Sequence, residues 1–302
     1  MTERTTVDPE LLARVQGISL RIRGLVSGAL QGAYRSSVRG TGIEFEEVRP
    51  YLPGDDVRSI DWKVTARTGE PHIKTYVEER QLTLLILLDT SRSMDFGSSA
   101  HSKREKAAEV AALLALVAGA NQDQVGLCLF ADEPGFTLPP DNKPHQVQRI
   151  VREILAARAT GTGSGLATVL DHADQHLQRR GLVVVISDFL GVDVGSCKRP
   201  FGNLARKHDV ISVRMTDPFE EELPRAGRLL FEDLESGQIL DVDTRSKSVR
   251  ADWSERARER RQVVEEITRK VGSDLIEVST TDDVGERILG LFARRARRGG
   301  VR

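Results

Sequence analysis

The residues best suited to chemistry lie where LLILLDTSRSMDF (Leu84–Phe96) passes from apolar to polar. An apolar run ends at Asp89, and Ser91 and Ser93 follow at alternate positions, so one carboxylate and two hydroxyls leave a strand end within one tight loop. Hard oxygen donors at close range suit Mg2+, Mn2+ or Ca2+, whereas zinc and copper favour imidazole and thiolate. A second apolar run, LVVVIS, reaches Asp188 in the same way. Between the two lies ATGTGSGLATVL, a Gly-rich loop that opens a helix and carries Thr160, Thr162 and Ser164, any of which could complete an oxygen ring. Two carboxylates just neutralise a divalent ion. A shell otherwise made of hydroxyls and water then keeps an affinity for one more anionic oxygen, such as the Asp or Glu of another protein.

Such side chains meet only if their strands are near neighbours. From Leu84 onward, apolar runs of strand length alternate with helical patterns: LLILL, KREKAAEVAALLALVAGA, QVGLCLF, QVQRIVREILAAR, GLATVLDHADQHLQRR, LVVVIS, DVISVRM, SDLIEVS and DDVGERILGLFARRA. Fully apolar strands separated by helices predict an α/β fold, a doubly wound and mostly parallel sheet covered on both faces. In open sheets of this kind ligands gather at the carboxyl ends of the strands, where Asp89 and Asp188 both fall.

Two segments break the rhythm. Before residue 81 the sequence predicts one amphipathic helix, PELLARVQGISLRIRGLVSGAL, then a Gly-, Pro- and charge-rich stretch too rich in Trp, Tyr and Ile for disorder. A small module of short strands over residues 1–80 is expected, followed by the sheet domain over 81–295 and a basic tail, 296–302. Late in the sheet domain, GRLLFEDLESGQILDVDT predicts an inserted hairpin, and SVRADWSERARERRQVVEEITRKVG a long charged helix with an exposed face.

Composition narrows the function. The chain has 302 residues and a formal net charge of -1, so no global field argues for nucleic acid as a partner. VAALLALVAGA falls short of the ~20 residues that cross a bilayer, and the N-terminus has no apolar h-region, so a cytoplasmic protein without a transmembrane segment is expected. Two cysteines, Cys128 in a strand-like run and Cys197 in an expected loop, are too few for a disulfide framework or a four-cysteine zinc site.

The D-x-S-x-S of Asp89, Ser91 and Ser93, a hydroxyl in the Gly-rich loop and the distal Asp188 together resemble the metal-ion-dependent adhesion site (MIDAS) of von Willebrand factor A domains, over about Leu82 to Phe292. RPYLPGDDVRSIDWKVTARTGEPHIKTYVEER, with VISDFL, is similar to the bacterial family called domain of unknown function 58, whose members are commonly encoded beside MoxR-type AAA+ ATPases. The resemblance implies a non-enzymatic module that binds protein through Mg2+, Mn2+ or Ca2+, with a MoxR-type ATPase or an Asp- or Glu-bearing ligand as partner. It also implies Asp89, Ser91, Ser93, Asp188 and a hydroxyl of the Gly-rich loop as metal ligands. The usual loop reads Gly-Gly-Thr-Asp-Leu; here Leu166 places Ser164 at the hydroxyl position, and Thr162 competes with it.

Plainer readings stand beside these. Asp89 and the serines can cap a following helix, and so can Ser164 or Thr162. His172 and His176 lie four apart, but HADQH lacks the glutamate of HExxH and reads as a solvated helix face. Arg49, Asp55, Asp56, Arg58, Asp61, Trp62 and Arg67 form a dense set of opposite charges around an aromatic ring, suited to ion pairing within the chain or to partner contact. The terminal RRARRGGVR suits a solvated helix end, or contact with phosphate or an anionic membrane surface. An enzyme would be an aspartate-nucleophile phosphohydrolase, yet Ser91 stands where such chemistry wants a second carboxylate as general acid. A scaffold with a vestigial metal site is the third class.

Overall fold

The structure, a computed structural model, describes residues 28–37, 44–77, 81–161, 165–232 and 237–299. The chain forms two compact units: a small one, Arg39–Leu82, and a large one made of the residues on either side of it. Helix α1 (Gly28–Ser37) belongs to the large unit, where Leu30 and Tyr34, one turn apart, are buried and the Tyr34 ring meets Phe292 edge-on at 5.2 Å. The small unit is thus inserted in the chain after α1, where one N-terminal module over residues 1–80 was expected. Most of the helix predicted from PELLARVQGISLRIRGLVSGAL lies outside the described residues.

The small unit holds β1 (Glu44–Pro50), α2 (Trp62–Thr68) and β2 (His72–Val77). The two strands pair antiparallel from Glu44↔Val77 to Pro50↔His72, and Ile60 bridges to the buried Ile73. Asp61 caps α2 by accepting from the Lys63 and Val64 amides, and Gly69, at φ +81°, ends the helix in the left-handed conformation that glycine adopts without strain.

The large unit continues with β3 (Thr83–Asp89), α3 (Lys103–Ala120), β4 (Gln124–Phe130), β5 (Pro134–Asp141), α4 (Pro144–Ala156), α5 (Leu166–His176), β6 (Leu182–Ser187), α6 (Val194–Lys207), β7 (Asp209–Thr216) and α7 (Pro218–Glu221). It closes with β8 (Arg228–Glu232), β9 (Ile239–Asp243), α8 (Lys247–Val271), β10 (Asp274–Ser279) and α9 (Val284–Gly299). Six strands form one sheet in the order β10-β7-β6-β3-β4-β5, parallel except for β5. From β3 the chain winds to β4 on one side and later to β6 on the other, so the switch point of this doubly wound sheet lies at the carboxyl ends of β3 and β6. On one face Leu85, Leu87, Val183 and Val185 pack against Leu170 of α5, Phe201 of α6 and Val264 of α8. Helix α3, buried along most of its length, opens with a capping box in which Ser102 accepts from the Glu105 amide and Glu105 from the Ser102 amide.

Several elements differ from expectation. Strand β5 was hidden because PGFTLPPD carries three prolines, which a sheet tolerates at its edge, where β5 lies. Cys197 sits in α6 and not in a loop: glycine and proline mask a stripe of Cys197, Phe201 and Leu204 that is buried. The hairpin expected over Gly227–Thr244 is β8 paired antiparallel with β9. The basic tail expected from residue 296 is still helical to Gly299, and Arg298 pairs with Asp274. Among the described residues no helix is long and apolar enough to cross a membrane.

Candidate metal centre at the strand ends

Adjacent parallel strands bring the two aspartates together. Leu88 of β3 is in register with Ile186 of β6, so both chains leave the sheet at the same level, one at Asp89 and the other at Ser187–Asp188. Both carboxylates are almost fully buried, Asp89 at 2% and Asp188 at 4% exposure. Burying a carboxylate is costly unless its oxygens find donors. Asp89 Oδ1 accepts from the Ser91 amide at 2.8 Å and Oδ2 from the Ser187 hydroxyl at 2.6 Å. Asp188 Oδ1 accepts from the Leu190 amide at 3.0 Å. Phe189, between them, has φ +56°, a left-handed conformation uncommon for a bulky residue, and its amide donates to Ser187 Oγ.

Ser91 and Ser93 are buried, and their hydroxyls lie 3.0 Å apart, bonded to each other. Ser91 does not cap the 3-10 turn Arg92–Asp95 through its side chain; Ser102 performs the capping of α3. Beside this loop Thr90 is tied to Phe130 of β4, and the Thr160 amide donates to the Thr90 carbonyl at 2.9 Å. Thr160, at the start of the Gly-rich loop, is thereby anchored against the loop of Asp89. Thr162 and Ser164 lie outside the described residues. Their flanks do not: a Cβ on Gly165 would stand 2.2 Å from the Asp132 carbonyl oxygen, and Gly161, at φ +74°, faces the Asp132 carboxylate, so both positions require glycine.

The side chain that sequence reading passed over is Lys103, the first residue of α3. It is fully buried, and its ammonium donates to Asp188 Oδ2 at 2.7 Å and to Glu220 of α7 at 2.6 Å. Burial works against the charged form, but the Asp188 and Glu220 carboxylates outweigh it and hold the Lys103 pKa above its ordinary value. Glu220 is pushed up by burial despite the lysine. Asp217, at the end of β7, anchors this side of the site by accepting from the Ser98 amide and hydroxyl, the Phe219 amide and the Thr280 hydroxyl. The signal for Asp217 was present in VISVRMTD, a third strand-like run, here alternating with Ser212, Arg214 and Thr216, that ends in aspartate. Nothing in KREKAAEV distinguishes a buried lysine from a solvated one.

The two aspartates differ in charge balance. Among the described residues Asp89 has no ion pair, and burial, then the like charge of Asp188, push its pKa up to about 6 against the pull of the Ser187 and Ser91 donors. The donors fit a hard divalent cation: two carboxylates in mutual repulsion beside two neutral hydroxyls, each carboxylate oxygen keeping a lone pair beyond the hydrogen bond it accepts. Among the described residues no group of three or more His, Cys, Asp or Glu side chains is placed to hold a metal, so a shell here would draw on hydroxyls, backbone carbonyls or water besides the two carboxylates. His172 and His176 stack on each other at 4.0 Å. A pocket of about 630 Å³ adjoins the site and is lined by Thr90, Phe130, Asp132, Phe136, Thr160 and Gly161 among others; neither aspartate lines it.

The fold and these strand ends define an open, doubly wound α/β domain with an oxygen-donor cluster at its switch point. Residues 47–263 match the family model described as Protein of unknown function DUF58, and the chain belongs to that family. An uncharacterized protein of Mycobacterium tuberculosis (strain H37Rv) is 32% identical over 293 residues, covering 96% of this chain and 91% of the relative. A shorter uncharacterized protein of Mycobacterium avium is 31% identical over 166 residues, 54% of this chain and 96% of its own. Among solved structures, the conserved hypothetical protein BatB from Bacteroides thetaiotaomicron is similar at a TM-score of 0.49 and 17% identity, covering 72% of this chain and 99% of BatB. A von Willebrand factor type A protein from Catenulispora acidiphila is similar at 0.41 and 11%, covering 87% of this chain and 52% of its own.

Proposed function

We propose that the chain is a non-enzymatic protein-interaction module whose binding depends on a divalent cation held at the carboxyl ends of β3 and β6. The observation that carries this reading is the imbalance at Asp89, a buried carboxylate without an ion pair among the described residues, beside two buried hydroxyls and a second carboxylate. When bound, Mg2+, Mn2+ or Ca2+ would relieve the repulsion between the aspartates and offer a remaining vertex to an anionic oxygen. Asp89, Ser91 and Ser93 hold it. Ser164 or Thr162 adds the loop hydroxyl, and Asp188, fixed by Lys103, contributes directly or through water. A partner's Asp or Glu then completes the shell, and the pocket walls beside Thr90 and Phe136 add contact area.

Resemblance to the family supports a MoxR-type AAA+ ATPase as the partner for which this module acts as adaptor, in the cytoplasm, where the free thiols of Cys128 and Cys197 would stay reduced. The phosphohydrolase reading gains nothing from the geometry: the hydroxyl of Ser91, where an acid would be needed, is bonded to Ser93. Titration calorimetry of the full chain with the MoxR-type ATPase of the same cell, in Mg2+ and in chelator, tests the proposal. Binding lost in chelator and in Asp89→Ala supports it; equal affinity in both solutions sinks it.

A further inference from the structure

Strands β8 and β9 form a sheet of their own, and among the described residues they pair only with each other. Two strands alone are marginal in water, and a third is ordinarily needed. Phe231 meets Trp253 of α8 at 5.4 Å, which holds one face of the ribbon against the domain. Elsewhere the ribbon shows large apolar side chains to solvent, with Leu230 at 72% and Ile239 at 70% exposure. An apolar strand with a free edge is a template for pairing with another chain.

The register fixes what that edge offers. The Thr244 amide donates to the Gly227 carbonyl at 2.7 Å, one step beyond the Arg228↔Asp243 pair. Antiparallel ladders bond at every second residue, so the amides and carbonyls of Leu229 and Phe231 face β9, while those of Arg228, Leu230 and Glu232 point out from the free edge of β8. Among the described residues no other backbone hydrogen bond reaches these three. Their side chains share one face of the ribbon and are all exposed. Arg228 holds Asp241 through Nε and one terminal nitrogen, leaving Nη1 without a partner among the described residues, and Glu232 has no ion pair there.

Laid antiparallel beside a second copy, RLLFE complements itself. With Leu230 opposite Leu230 of the second copy, Arg228 stands opposite Glu232 and Leu229 opposite Phe231, and the outward amides and carbonyls of residues 228, 230 and 232 meet in hydrogen-bonded register. Strand β9 lacks this symmetry: by the same alternation its outward residues are Ile239, Asp241 and Asp243, and pairing with its own copy would set Asp241 against Asp241. We propose that β8 is a dimerisation strand, along which two copies of this chain join antiparallel about a two-fold axis at Leu230 to make one four-stranded sheet. Such an interface is the same patch on both copies and closes at two. Its small area makes the association weak, and it requires no metal.

Sedimentation velocity of the full chain in chelator, from about 1 µM to about 1 mM, should show a monomer–dimer equilibrium. Glu232→Arg and Arg228→Glu each set like charges opposite across the axis and should weaken it about tenfold or more. Mixed in equal amounts, the two variants should recover most of the natural affinity, because each altered strand then meets its opposite; damage within one hairpin would not recover. Leu230→Cys should form a disulfide-linked dimer under mild oxidation, since hydrogen-bonded antiparallel partners stand about 5.5 Å apart at Cα, within disulfide reach. Ile239→Cys, equally exposed on β9, should not, and the natural Cys128 and Cys197 are buried and do not compete. A chain monomeric throughout the range, a dimer indifferent to both charge variants, or variants that fail to recover on mixing overturns the proposal. Equal crosslinking of Leu230→Cys and Ile239→Cys does so as well. Circular dichroism checks the fold of each charge variant, and should either unfold, the two cysteine variants decide.

Discussion

The ends of β3 and β6 are neighbours in the sheet, both close an apolar strand with aspartate, and both aspartates are buried, yet they are served differently. Asp188 has a cation from its own chain in Lys103, itself shared with Glu220. Asp89 has only hydroxyl and amide donors and feels the charge of its neighbour. A fold that needed both charges merely neutralised could have supplied two lysines. Supplying one leaves a local excess of negative charge on the side where Ser91 and Ser93 stand, which is the arrangement a diffusible cation would correct.

The largest effect expected from breaking this contrast is at Lys103. Removing one partner of a buried ion pair strands the other, at a cost of about 3–5 kcal/mol. Lys103→Met should therefore lower the free energy of unfolding in chelator by about that amount. Because a divalent cation near Asp188 could take over part of the lost charge, millimolar Mg2+ should restore more stability to Lys103→Met than it adds to the natural chain. Denaturant titrations with and without Mg2+ measure both. A variant as stable as the natural chain in chelator would show that the Lys103–Asp188 pair contributes nothing net.

At Asp89 the expected response is the reverse. Replacing a buried, unpaired carboxylate by its neutral isostere removes a charge the fold holds unwillingly, so Asp89→Asn should be at least as stable as the natural chain in chelator at pH 7. In Mg2+ the order should invert: the natural chain gains about 2.7 kcal/mol at a concentration one hundredfold above its dissociation constant, and Asp89→Asn gains nothing. Thermal unfolding in both solutions reads this directly. An equal Mg2+ response in the two chains would remove Asp89 from the metal shell.

How far this contrast could be read beforehand differs between its two halves. Asp89, Ser91, Ser93 and Asp188 were legible because strand-end aspartates follow unbroken apolar runs, and such runs mark buried parallel strands whatever the tertiary context. Lys103 and Glu220 were not. Their pairing joins residues far apart in the chain, and a lysine at a helix start is ordinarily solvated; only the packing of α3 and α7 around the strand ends buries it. Strand β5 and helix α6 were obscured by proline and glycine, whose local preference was overridden by an edge position in one case and by a buried stripe in the other.

Titration sharpens the contrast further. The folded-state pKa of Asp89, about 6, lies above the value of 3.8 usual for an aspartate, so between about pH 4 and 6 the folded chain binds more protons than the unfolded one. Stability in chelator should then fall as pH rises through that window, by up to about 1.4 kcal/mol per unit from this group. Glu220 is raised as well, so the Asp89 share is the slope that disappears in Asp89→Asn. Metal affinity should move the other way, dropping roughly tenfold per unit as pH falls below 6, because protons and cation compete for one carboxylate. A pH-independent affinity between 5 and 7 would contradict the assignment.

The smallest expected effect separates the hydroxyls from the carboxylates. Ser91 and Ser93 are bonded to each other at 3.0 Å, so Ser91→Ala removes one neutral hydrogen bond and one oxygen donor while leaving both aspartates in place. A loss of about 1 kcal/mol in stability is expected, irrespective of Mg2+, if the hydroxyl serves the fold alone. If it is a ligand, the Mg2+-dependent part of the stability must shrink in addition, although less than in Asp89→Asn, since a water can replace a neutral oxygen but not a charge. The difference between the two chains in Mg2+ minus that in chelator therefore reports the ligand role by itself. A zero value would reduce the site to its two aspartates, too few donors for the latch proposed above.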